Sequence, residues 1–139
     1  MIDELLDLAR LVAQDPLTMD QVIARIGPVV VDGGRDRAWE LRPSDPRWRS
    51  ARVARDRDTG APFLVELAPA GALTLTALRV RLGDYQRLRG HADLPRQVVF
   101  QLPDTGQPYR ASLIASLDDS DGLDDATVVL LGVRRDPRL

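Results

Sequence analysis

Residues 17–27 read LTMDQVIARIG, and residues 73–83, 56 positions later, read LTLTALRVRLG. A phrase that recurs at a fixed offset constrains a fold more than any composition does, because each copy must adopt the same local structure and find the same kind of neighbour. The local structure is a short capped helix. Thr18 is an N-cap whose hydroxyl accepts the amide of Gln21, while Gln21 reaches back to the amide of Thr18. Leu17 before the cap and Val22 after it form a hydrophobic staple. Met19, Val22, Ile23 and Ile26 recur at helical spacing, and Gly27 ends the helix. In the second copy Thr74 caps, Leu73 and Leu78 form the staple, Leu75, Leu78 and Leu82 line the inner side, and Gly83 ends it. Ala77 stands where Gln21 stood, so the second half of the box is lost.

The segments that follow the two copies also correspond. After Gly27 come a loop, VDGGRD, and then AWEL, SARVAR and PFLVEL. After Gly83 come a loop, RLRGHADLP, and then VVFQL, ASLIASL and TVVLLGV. Enrichment in β-branched and aromatic residues between turn signals predicts three strands in each half. A further amphipathic helix is predicted from Ile2 to about Ala13, turning at Asp15-Pro16 into the helix of the first copy. The expectation is a single α+β domain over residues 1–139. Its N-terminal helices and a mid-chain helix cover one face of an antiparallel sheet of about six strands, arranged as two helix-plus-meander units, 17–69 and 73–137. A chain of 139 residues can bury about two thirds of its unfolded surface, enough for a core without staples.

Composition removes several chemistries. There is no cysteine, so disulfides, thiolate zinc sites and a cysteine nucleophile are excluded. A single histidine, His91, excludes a site with two imidazoles. No cofactor and no metal site is expected. The net charge of −2 argues against nucleic-acid binding, which draws on a basic surface. Every basic side chain apart from His91 is arginine, and lysine and asparagine are absent, a codon signature of a GC-rich bacterial genome. The acidic, amphipathic N-terminus lacks the basic and apolar regions of a signal peptide, and no run of 18 apolar residues exists, so a cytoplasmic location off the membrane is expected.

The phrase carried by Leu17, Thr18, Val22, Ile26 and Gly27, and again by Leu73, Thr74, Leu78, Leu82 and Gly83, resembles the opening of the units of the β-lactamase inhibitor protein family. The related small lipoproteins of the outer-membrane assembly machinery share it. The match covers both halves in outline and about five positions in each. It implies a twin-unit α+β fold whose open sheet face binds another protein. Those proteins are exported and the inhibitors carry disulfides, whereas this chain has neither cysteine nor signal, and nothing points to β-lactamase as the target.

Two segments are candidates for contact with a partner protein. In RPSDPRWRS, Trp48 lies between Arg47 and Arg49, residue types enriched in interface hot spots, and Pro43 and Pro46 stiffen the loop. The alternative is that Trp48 opens the next strand and packs into the core. In DDSDGLDD, Asp118, Asp119, Asp121, Asp124 and Asp125 form an acidic hairpin tip. An EF-hand register fails there, because Gly122 at the sixth position puts Leu117 at the first. VDGGRD lacks a phosphate-binding pattern and reads as a mobile loop. No GxSxG elbow accompanies His91, Ser112 or Ser116, and no catalytic residue is assigned. Arg134 and Arg135 are read as guarding a sheet edge.

The functional expectation is a non-catalytic bacterial module, an immunity or inhibitor protein of the toxin–antitoxin kind that binds a cognate toxin or enzyme. The alternatives are a ligand-binding or enzymatic domain with Glu40, Glu66 and Gln101 pointing into a pocket between helices and sheet, and a scaffold subunit of a secretion or surface system. The sequence leaves the oligomeric state open.

Overall fold

A computed structural model describes residues 1–88, 96–119, 122–123 and 125–137. Both repeated phrases fold as helices bounded by their threonines and glycines. In α2 (Met19–Ile26) the capping box is complete: the Gln21 amide donates to Thr18 Oγ1 at 3.3 Å and the Thr18 amide to Gln21 Oε1 at 2.8 Å. In α3 (Leu75–Leu82) the Ala77 amide donates to Thr74 Oγ1 at 3.2 Å, and no reciprocal bond is made, as Ala77 dictates. Both staple pairs, Leu17 with Val22 and Leu73 with Leu78, are buried. The N-terminal helix α1 (Ile2–Val12) buries Leu5, Leu8, Ala9 and Val12 along one side.

Each repeated helix leads into a four-stranded meander. The first unit is β1 (Val29–Val31), β2 (Trp39–Leu41), β3 (Trp48–Arg55) and β4 (Pro62–Pro69); the second is β5 (Gln86–Leu88), β6 (Gln97–Gln101), β7 (Arg110–Leu117) and β8 (Val128–Asp136). The two meanders join through their last strands. The order is β1-β2-β3-β4-β8-β7-β6-β5, and every pairing is antiparallel.

The α+β expectation holds, but the sheet has eight strands rather than about six. The six expected strands are all present. The two missed are β1 and β5, the edges, with three residues each, exposed throughout and paired on one side only. Length alone does not explain the difference, since β2 is equally short and its AWEL segment is expected as a strand; QRL has no β-branched residue, and VVV runs directly into the glycine-rich turn signal of VDGGRD.

Arg134 and Arg135 do not guard an edge. They lie in β8, paired with β4 on one side and β7 on the other. Arg135 is 9% exposed, stacks at 3.5 Å on the Tyr109 ring and donates to the Gln14 carbonyl at 2.8 Å. The Gly-rich 32–38 loop is also tied down. The Trp39 indole donates to the Gly34 carbonyl at 2.8 Å, and Arg55 donates to the same oxygen at 3.2 Å.

The buried residues of all three helices share one core cluster with Val53, Val65, Leu67, Phe100, Leu113, Leu131 and Val133. These strand residues alternate with residues of the opposite face, so all three helices pack on one side of the sheet. α1 lies against β4, β7 and β8, over the seam between the two units.

Candidate functional site

Among the described residues, no helix covers the other face of the sheet. Cross-strand register arranges its side chains in rows, because residues directly opposite in an antiparallel pair share a face. One row runs through seven strands: Gln86, Val99, Ile114, Gly132, Glu66, Arg52 and Glu40. A second holds Gln101, Ser112, Arg134, Leu64 and Ala54, and a third Leu88, Gln97, Ser116 and Leu130. The second unit therefore contributes an amide-bearing surface in which Gln86, Gln97 and Gln101 are exposed, Ile114 and Leu130 are half-buried, and Val99, Ser112 and Ser116 are buried. The first unit contributes a charged strip in which Arg52 sits between Glu40 and Glu66. The three side chains are opposite in register but make no ion pair with one another, so their charged heads remain available to solvent or a partner.

Glu40, Glu66 and Gln101 belong to this face and point away from the helices, not into a pocket between helices and sheet. The enclosed spaces on the helix side are small. One of about 100 Å³ is lined by Leu5, Leu8, Ile26, Pro43, Trp48 and Leu67 among others. Another of about 60 Å³ lies between α1 and the Leu102–Tyr109 segment. Ligand sites generally measure about 300–1,000 Å³; two spaces of that size, about 480 and 820 Å³, are open concavities beside the 32–38 loop, the larger lined by Glu40 and Arg52.

The first predicted contact segment divides. Trp48 opens β3 and is 8% exposed within the core cluster, so its indole is a packing element rather than a projecting anchor. Arg47 is exposed but engaged: it holds Asp45 at 2.7 Å and Glu4 at 2.6 Å, tying the loop before β3 to the start of α1. Arg49 is exposed. The acidic hairpin also divides. Asp118 is structural: its carboxylate accepts the Thr127 amide at 3.1 Å, and its carbonyl accepts Arg96 at 2.7 Å. Asp119 and Asp125 are exposed near the tip. Asp121, Asp124 and His91 lie outside the described residues. Among the described residues, no group of three or more acidic or imidazole side chains could hold a metal ion.

Ser112 is fully buried on the helix-free face with no hydrogen-bond partner among the described residues. The Ser116 hydroxyl accepts Gln97 Nε2 at 3.1 Å. Both serines are buried.

The Glu4–Arg47–Asp45 cluster carries a pH signature. The α-amino group of Met1 and the Arg47 guanidinium hold the Glu4 carboxyl down at about 2 from its ordinary 4.5. Hydrogen bonds from the Arg47 side chain and amide hold Asp45 at about 2 from 3.8. Folded-state values below the unfolded ones mean a contribution fully present above pH about 4.5 and lost as the pH falls through about 2. The groups are exposed, so solvent and salt screening keep the effect small. The melting temperature is expected to decline over this window in low salt. Arg47→Ala should flatten that decline, and an unchanged profile in the variant would refute the assignment.

The side chains that build the helix-free face carry no motif. Val99, Ile114 and Leu64 look like core residues in the sequence. The alternation of Ser112, Ile114 and Ser116 against Leu113, Ala115 and Leu117 is legible, but it does not say which set the helices cover.

No protein-family profile, no curated protein and no solved structure matches the chain.

Proposed function

We propose that this chain is a non-catalytic protein-binding module that engages its partner with the helix-free face of the sheet. In its sharper form it is a cytoplasmic immunity or inhibitor protein that neutralises a cognate bacterial toxin or enzyme by covering it. The observation that carries the reading is the row from Gln86 to Glu40, seven strands wide and uncovered by any described helix. Seven strand spacings of about 4.8 Å make the whole sheet about 34 Å wide, and its strands, three to nine residues long, average roughly 20 Å. The resulting area is on the order of 700 Å², near the roughly 800 Å² per partner of a standard protein interface. Half-buried Leu64, Ile114 and Leu130 beside a strip of alternating charge supply burial in one half and register in the other. The blocking surface is thus assigned to the sheet rather than to Trp48. Asp119 and Asp125 at the acidic hairpin are a second contact for a basic partner. No described helix is long and apolar enough to cross a membrane.

The test is an affinity capture from the host lysate with wild-type chain, with Arg52→Glu combined with Ile114→Arg, and with Arg10→Glu on exposed α1. A stoichiometric partner lost with the sheet variant and kept with the α1 variant supports the reading. A partner kept by the sheet variant refutes this face as the site. Growth arrest by the partner expressed alone, relieved by co-expression of the chain, separates an immunity protein from a scaffold subunit.

A further inference from the structure

The two edges of the sheet are unequal. β5 carries a charge, Arg87, between Gln86 and Leu88. β1 is three consecutive valines, 37%, 55% and 47% exposed, and it pairs only with β2. Natural edge strands are usually blunted by charge, proline or a cover, since their free amides and carbonyls template pairing with another chain. Within β1 there is neither charge nor proline. Its shortness and the register shift opposite β2 limit its reach but do not remove its donors and acceptors.

The geometry points to a second copy of this chain as the occupant of that edge, with β1 pairing antiparallel to β1 across a two-fold axis at Val30. This interaction is independent of the proposed function, because edge pairing extends the sheet in its own plane and leaves the helix-free face open. Chemistry selects the second copy. With the axis at Val30, Val29 faces Val31 of the second copy and Pro28 faces Asp32, so no like charges oppose each other. Pairing β1 with β5 of another copy would bring Arg87 into the ladder and would repeat without closing. Three residues a side bury far less than the roughly 800 Å² per partner of a stable dimer. The dimer is therefore weak, with a dissociation constant on the order of 0.1–1 mM.

The experiment is sedimentation equilibrium of the full chain from well below to several times that concentration. Wild type is expected to approach a dimer and stop there. Val30→Lys and Val30→Glu should each stay monomeric, since the axis places like charges face to face. Val30 is more than half exposed, so both variants should fold, and circular dichroism verifies it. An equimolar mixture of the two should restore a one-to-one dimer, an outcome specific to this register. Arg87→Ala should leave the equilibrium unchanged. A wild-type monomer at every concentration, assembly continuing past the dimer, a dimer retained by Val30→Lys alone, or no dimer in the mixture would each overturn the proposal.

Discussion

Gly27→Ala is expected to destabilise the fold by about 3–5 kcal/mol, while Gly83→Ala costs about 1 kcal/mol. The two glycines end the two copies of the repeated phrase and look equivalent in sequence. Both have positive φ, +150° at Gly27 and +86° at Gly83. The difference lies in what a methyl group would meet. At Gly27 it would fall 1.8 Å from the Arg42 carbonyl oxygen and 3.1 Å from the Ser44 amide nitrogen. At Gly83 nothing lies within 4 Å. The crowding at Gly27 comes from the bonds that seat β1 against the chain leaving β2. The Ser44 amide donates to the Ile26 carbonyl and the Arg42 amide to the Pro28 carbonyl, both at 2.8 Å. Relief of the clash requires breaking that seat, so loss of β1 should accompany the loss of stability. Urea titrations of the two variants measure the difference. Equal costs would show that positive φ alone matters and that the close approach does not.

Trp48→Ala is expected to cost about 3–5 kcal/mol, the range for removing a buried large aromatic side chain. The indole packs among Leu5, Leu8, Ile26 and Leu67, beside the cavity of about 100 Å³ that truncation would enlarge. Its backbone is also fixed: the Trp48 amide donates to the Asp45 carbonyl at 3.1 Å, and Trp48 pairs with Pro69. Chemical denaturation reads the cost directly, and a change below about 1 kcal/mol would show that Trp48 is not a core element. The consequence for binding is specific. Any partner affinity lost in Trp48→Ala should scale with the unfolded fraction and return at a temperature where the variant is folded. Loss of affinity in fully folded Trp48→Ala would return the contact surface to the Arg47–Arg49 segment.

The candidate site was partly legible. The sequence marks Glu40, Glu66 and Gln101 as polar residues within strands, but it turns them toward the helices, and the structure turns them the other way. A strand pattern separates two faces without naming the one that is covered. In β7 both faces are apolar enough to be core, with Leu113 and Leu117 on one and Ile114 between two small serines on the other. Trp48 shows the same limit at one residue: an indole between two arginines suits an interface or a strand entering a core, and only the packing of α1 and α2 above it decides.

What the sequence determines here acts within a few residues. The threonine caps, the staples, the terminating glycines, the amphipathic side of α1 and the six inner strands all follow from interactions at separations of one to four, and the structure reproduces them. What only the tertiary structure decided acts between residues far apart in the chain. It joined the two units through β4 and β8, put Arg134 and Arg135 in the centre of the sheet, and made edges of β1 and β5. It also crowded Gly27 against the Arg42 carbonyl while leaving Gly83 in open space. Strand order and burial depend on which surfaces remain after the helices choose a side, and that choice is a property of the whole core.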